Sequence, residues 1–451
     1  MKSTRTLLTA ALSLVLTSAA VADQPVIEVP EAVPFEGPIH VMKQGPDGVI
    51  RCEAVDKAAP VEDGVEPLPW YTHAVMTNNQ FAFDLYGDLA GQADLKENIF
   101  FSPISITAAL SLTYEGAEGN TRSQFEKVLH VNPGIERNGY HSSLSELLEQ
   151  LDGKDKPYAL SVANSLWGEQ SMPFREAFLK TLEKNYDAGF EAVDFKRKPD
   201  VEREKINACV EEKTQDRIKD LLPEGSIDSL TRLVLANAIY FKGSWQYQFE
   251  PDWTQDRPFH QIGAEASKTP TMMLPNKHLR YADLDGLDIL EMPYKSGDLS
   301  MLVLLPDERD GLAKLEGRLS NRALNQWVSE MKRGPVRVLL PKWESTLSTK
   351  LVPTLQRLGL TDAFDENKAD FTGITDSAEG ELLYITDVFH KAFIKVDETG
   401  SEAAAATAVV IGAKSAPPRP YEFKADHPFV YIIRDNRTGA VLFLGRMADP
   451  S

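Results

Sequence analysis

The chain has 451 residues, 42% hydrophobic and 25% charged, the balance of a soluble globular protein with apolar mass for a large core. Asp and Glu number 67 against 48 Lys and Arg, and the formal charge of −19 excludes nucleic acid and anionic membrane as partners by repulsion. The two cysteines, Cys52 and Cys209, are too few for a disulfide framework and lack metal-ligand spacing, so one bridge and two separate thiols both stay open.

Residues 1–22 read as a signal peptide. Lys2 and Arg5 precede an apolar run from Leu7 to about Leu16, and Ala20-Val21-Ala22 supplies the small-x-small pattern of a cleavage site. The run is too short to span a bilayer and nothing later is long enough, so cleavage after Ala22 and export are expected. The compact basic start, with no lipid-attachment cysteine near the cut, fits a bacterial protein secreted to the periplasm or medium. Losing Lys2 and Arg5 makes the mature chain more acidic still.

Residues 23–71 form an acidic, proline-rich extension. Between 23 and 70 there are 8 prolines, 10 acids and 3 bases, with no sustained helical or strand period, which reads as a disordered arm. The folded domain is placed at 72–451. Its first signal is Thr77-Asn78-Asn79 as a helix cap, followed by Phe81, Leu85 and Leu89 at helical spacing.

Further on, a helical stretch at Glu202 to Leu222 is interleaved with strand-like runs at Leu233–Phe241, Ser300–Leu305, Val336–Leu340 and Val430–Ile433. Strands and helices do not alternate regularly and no internal repeat occurs, so the class is α+β with several sheets. Enzyme signatures are missing: no Gly-x-Ser-x-Gly elbow, no His-Glu-x-x-His pair, no phosphate-cradling glycine loop, and eight scattered histidines that imply no metal and no cofactor.

The most unusual segment runs from Glu398 to Ser415. Ala403 to Ala413 carries neither charge nor proline. If extended, it places Ser401, Ala403, Ala405, Thr407, Val409 and Ile411 on one face fit for a core, with Glu402, Ala404 and Ala406 on the other. A surface helix is the competing reading, because alanine is the best helix former, but Val409-Val410-Ile411 and Gly412 weigh against it. Upstream, Val388, His390, Ala392, Ile394 and Val396 alternate as a strand that feeds Gly400, where the backbone is free to hinge.

These residues resemble the reactive-loop hinge of the serpins, and the resemblance extends over residues 72 to 450. Asn98-Ile99-Phe100-Phe101-Ser102-Pro103-Ile104-Ser105, Leu235 to Trp245, Ala369 to Ile374, and Asp426-His427-Pro428-Phe429-Val430-Tyr431 match the family's blocks in the right order. The resemblance implies three β-sheets, eight or nine helices and an exposed reactive-centre loop. It also implies a monomeric protein that is not an enzyme but a suicide-substrate inhibitor, trapping a serine protease as a covalent acyl-enzyme when the cut loop inserts into the main sheet.

Residue by residue, the resemblance makes Glu398, Gly400, Ser401 and Ala403-Ala404-Ala405-Ala406 the hinge, and Ser102, Ser105, Asn237 and His390 the polar cluster where the sheet opens. Trp245, Lys342 and Glu398 mark the place where the loop enters. Counting from the hinge puts the scissile bond at Lys414-Ser415, which implies a trypsin-like target; Ala413 or Val410 would suit an elastase-like pocket, and Arg419 lies a few residues on. No basic cluster flanks Arg122 to Lys127, so no polyanion cofactor is expected. Asp216 stands where many members have glycine and Cys209 where an aromatic is common. A non-inhibitory member acting as carrier, chaperone or storage protein is the alternative, since a fold does not fix a function.

Overall fold

Helix α1 (Thr72–Gln92) begins earlier than the expected cap and carries Thr77, Asn78 and Asn79 in its buried interior. The triplet is polar because it meets backbone, not because it ends a helix. Asn78 Nδ2 donates to the Val441 carbonyl at 3.0 Å, Asn79 Nδ2 to that of Gly439 at 2.9 Å, and the Val441 amide donates to Asn79 Oδ1 at 2.8 Å. The computed structural model describes residues 39–44, 50–55, 71–132, 134–151, 156–186, 190–375, 383–401 and 420–451.

Eight further helices follow among the described residues: α2 (Pro103–Tyr114), α3 (Gly119–Val128), α4 (Arg137–Leu151), α5 (Glu176–Tyr186), α6 (Pro199–Lys213), α7 (Leu312–Glu316), α8 (Asn321–Glu330) and α9 (Val352–Leu358). Helix α2 is buried on every side, as its uniformly apolar and small sequence requires. Ser102 caps it by accepting from the Ser105 amide, and Pro103 occupies the first turn, where its missing N–H goes unneeded.

The strands are β1 (Ile39–Gln44), β2 (Ile50–Val55), β3 (Ile99–Phe101), β4 (Tyr158–Glu169), β5 (Phe190–Val193), β6 (Leu233–Ser244), β7 (Gln255–Phe259), β8 (Ser267–Leu284), β9 (Leu287–Pro293) and β10 (Leu299–Pro306). They continue with β11 (Lys332–Pro341), β12 (Trp343–Lys350), β13 (Val388–Val396), β14 (Gly400–Ser401), β15 (Tyr421–Lys424), β16 (Phe429–Asp435) and β17 (Val441–Met447). The main sheet has the order β12-β13-β6-β4-β5, with β14 added against β6. Behind it, β15-β11-β8-β9-β10-β16-β17-β3 form one sheet with β7 on β8. Strand β8 pairs in turn with β7, β11 and β9 along its length, and that continuity makes one sheet of them.

The third sheet is the hairpin β1–β2, paired from Ile39 with Val55 to Gln44 with Ile50. It lies in the acidic extension, where disorder is expected from composition; its two strands are only six residues each, with Pro38 and Pro46 flanking the first. Most of the extension, with the signal-peptide segment, falls outside the described residues.

The side chains of β6 alternate between two apolar clusters. Leu233, Leu235, Ile239 and Phe241 join the main core with α2, whereas Val234, Ala236, Ala238 and Tyr240 pack with Ile206 and Val210 of α6. Helix α6 stops at Lys213, short of the stretch expected to end at Leu222, because Gln215 and Asp216 turn into the left-handed region with φ of 55° and 59°. Asp216 thus stands where glycine is conformationally favoured. Asp216→Gly is expected to stabilise the protein by about 1 kcal/mol, seen as a higher midpoint in thermal unfolding. Cys209, half-buried on α6, is a free thiol.

Candidate functional site

Two features of the main sheet define the site: a seam between β6 and β13, and a turn that leads the chain back into it. The strands pair in parallel from Val388 with Leu235 to Phe393 with Tyr240. Past that point β13 continues beside β12 as far as Val396 with Trp343, but it leaves β6. The gap admits β14, whose Gly400 and Ser401 pair antiparallel with Ser244 and Gly243. A parallel pair in the middle of a sheet forgoes the somewhat stronger antiparallel pattern, and β14 already restores it over two residues.

The turn is built by Asp397. Its Oδ1 accepts from the Thr399 amide at 2.9 Å and the Thr399 hydroxyl at 2.7 Å, while its amide donates to the Gly400 carbonyl at 2.9 Å. Gly400 has φ of +154°, and a Cβ there would stand 2.1 Å from the Gly243 carbonyl oxygen, so only glycine fits. Ser401 is fully buried and its Oγ lies 2.8 Å from the Tyr294 hydroxyl.

The residues expected at the loop's entrance converge here. Glu398 holds Lys342 Nζ at 2.8 Å and accepts from the Thr254 hydroxyl at 2.7 Å. Burial raises its carboxyl, but these two donors bring it below the ordinary carboxylate range. Trp245 donates its ring N–H to the Asp397 carbonyl at 3.0 Å and stacks on Tyr294 at 4.6 Å. The Trp245 and Phe249 amides donate to the carbonyls of Thr399 and Glu398, both at 2.9 Å.

The polar cluster spans the seam lower down. His390 and Asn237 are directly paired residues of β13 and β6, and His390 Nδ1 donates to Asn237 Oδ1. The Ser102 amide donates to His390 Nε2 at 3.3 Å, Ser102 Oγ to the Leu442 carbonyl at 2.7 Å, and Asn237 Nδ2 to Ser105 Oγ at 2.7 Å. One further member went unnoticed in the sequence. Asn164 on β4 accepts from Ser105 Oγ at 3.2 Å and from Asn237, and donates to the Ser105 carbonyl. These bonds tie α2, β4, β6 and β13 together, and the His390–Asn237 bond must break if the seam parts.

Among the remaining expected residues, Ala403, Ala404, Ala405, Ala406, Lys414 and Ser415 lie outside the described residues. Among those described, no group of His, Cys, Asp and Glu is arranged to hold a metal.

Residues 76–450 match the family model described as "Serpin (serine protease inhibitor)". The chain belongs to the serpin family. It is 40% identical over 390 residues to human Serpin B3, covering 83% of this chain and 98% of that one. To the horse leukocyte elastase inhibitor it is 38% identical, with the same coverage of 83% and 98%. Uncleaved ovalbumin in its crystal structure is similar at a TM-score of 0.75 and 33% identity, over 83% of this chain and 99% of that one. As a serpin the chain is a protease inhibitor by family and not an enzyme.

The serpin's cluster is tuned to a neutral histidine. Burial depresses the His390 pKa to about 3, and protonated Nε2 would point a second hydrogen at the Ser102 amide. An unfolded histidine takes its proton near 6.5, so between 6.5 and 3 the unfolded chain binds more protons and stability falls as pH falls. Burial lowers His73 to about 4 with the same sign. Thermal midpoints are therefore expected to drop from pH 7 to pH 5, with a shallower slope for His390→Gln; equal slopes would remove His390 from the explanation.

Proposed function

We propose that this serpin is an exported, monomeric, irreversible inhibitor of a trypsin-like serine protease. The serine Oγ of the protease attacks the Lys414 carbonyl, the Lys414–Ser415 bond breaks, and the Ser415 amine leaves with a proton from the protease's histidine. An ester then joins protease to inhibitor. The freed hinge enters the β6–β13 seam before water reaches that ester.

The observation that carries this reading is the register of β14. Continued down β6, it sets Ala403 against Phe241, Ala405 against Ile239, Thr407 against Asn237 and Ile411 against Leu233. Residues directly opposite in an antiparallel pair share a face, so the small and β-branched set from Ser401 to Ile411 meets the main core. Thr407 arrives as a hydroxyl where the His390–Asn237 bond has been broken. Charged Glu402 falls on the α6 side, opposite Lys242 and near the top of the sheet.

Insertion to this depth moves the protease far. From Glu398 to Lys414, at about 3.3 Å per residue, the new strand spans roughly 50 Å and drags the ester to the opposite pole. Compression there displaces the oxyanion hole from the acyl carbonyl, and misplacement of about 1 Å slows hydrolysis by orders of magnitude.

The test is to mix the mature protein with trypsin and resolve the products on a denaturing gel with mass spectrometry. A band of the summed mass, with a released peptide beginning at Ser415, is expected. Clean cleavage without that band would leave a substrate or carrier role.

A further inference from the structure

Tyr294 directly follows the last residue of β9, Pro293, and its side chain is fully buried. Three contacts fix it. Its ring stacks against Trp245 with planes 13° apart, its edge meets Phe241 at 5.0 Å, and its amide donates to the Leu299 carbonyl at 2.9 Å. Its hydroxyl therefore points from a rigid position at Ser401, the last described residue before the reactive loop, at 2.8 Å. Both hydroxyls are removed from water, and among the described residues neither has another side-chain hydrogen-bond partner to exchange for this one.

We infer that Tyr294 is a positioning residue for the inhibitory reaction: its hydroxyl latches Ser401 and holds the first two hinge residues docked as the start of the inserted strand. The inference rests on the proposed trapping reaction and deepens it. Docking has two opposed effects. It provides a formed nucleus from which insertion proceeds, because the first pairs, which cost the most ordering, are already made. It also draws the upper end of the loop into the sheet and shortens what a protease can reach.

Releasing the latch thus separates two quantities that a general structural defect would lower together. Tyr294→Phe keeps the ring and its stacking and removes only the hydroxyl. Loss of one buried hydrogen bond shifts the docked equilibrium about fivefold, so complex formation with trypsin is expected to become up to about fivefold faster per encounter. The number of inhibitor molecules consumed per trypsin trapped is expected to rise about twofold, because insertion has lost its nucleus.

The experiment has two parts. Hydrogen exchange of the peptide spanning residues 397–401, measured without protease, is expected to quicken about fivefold in Tyr294→Phe and in Ser401→Ala. The double variant is expected to match either single one, as for partners in a single bond. Rate and stoichiometry with trypsin are then measured on the same proteins. Unchanged exchange, additive effects of the two substitutions, or rate and stoichiometry falling together would each overturn the latch. Failure of the wild-type protein to trap trypsin would overturn the trapping reaction while leaving the exchange result to stand on its own.

Discussion

Arginine in place of Ser401 is expected to turn the protein from an inhibitor into a substrate. Ser401 is fully buried against Tyr294 and pairs with Gly243, so a guanidinium there has neither room nor a countercharge. Burying an unpaired charge costs several kcal/mol, and the hinge escapes that cost by leaving the gap. Protease then cuts an undocked loop, insertion starts late, and the ester hydrolyses first. A penalty of about 3 kcal/mol at the partition corresponds to more than a hundredfold loss of trapped complex per cleavage. Ala403→Arg is expected to behave alike, because the β14 register brings position 403 against Phe241 on the core side. Wild-type stoichiometry in both variants would remove insertion from the mechanism.

The second large effect concerns the target. Trypsin-like pockets carry an acid that receives a lysine or arginine cation, and an alanine leaves that acid buried without a partner. Lys414→Ala is therefore expected to slow the reaction with trypsin by a factor on the order of 10⁴. Lys414→Leu is expected to redirect inhibition to proteases with an apolar pocket. Neither change touches the hinge, so the few complexes formed should still be covalent. An unaltered rate with trypsin would move the scissile bond, with Arg419 the next cation along the chain.

Much of this site was legible in the sequence because the chemistry of insertion leaves a pattern in composition. A strand that must be soluble outside a sheet and apolar inside one is written in alanine, threonine and valine at period 2, and Ser401 to Ile411 has that form. The alternation from Val388 to Val396 gave β13 to the residue. Glu398 and Lys342 are far apart in sequence, and only the family resemblance paired them; in the fold they are 2.8 Å apart.

What escaped did so for identifiable reasons. Asn164 stands beside Ser165 between Val162 and Leu166 on a strand, and only the three-dimensional meeting of β4, β6 and α2 shows that its amide completes the cluster. Thr254 and Tyr294 reach the hinge from distant segments, so no local spacing marks them. Helix α1 starts ahead of its supposed cap because Asn78 and Asn79 serve the backbone beside β17, a tertiary demand that overrides local preference. The end of α6 turned on Asp216, a non-glycine residue carrying a left-handed backbone.

The central claim is that the β6–β13 seam parts and takes in the loop in the register begun by Gly400 and Ser401. It is tested most directly by cutting the loop with a catalytic trace of a metalloprotease, which forms no acyl-enzyme and so is not trapped, and following the cleaved serpin by thermal unfolding and hydrogen exchange. Adding a central strand is expected to raise the unfolding midpoint by about 20 °C and to protect the amides of residues 402–411 as strongly as those of β6. A midpoint unchanged by cleavage, with residues 402–411 exchanging freely, would contradict it.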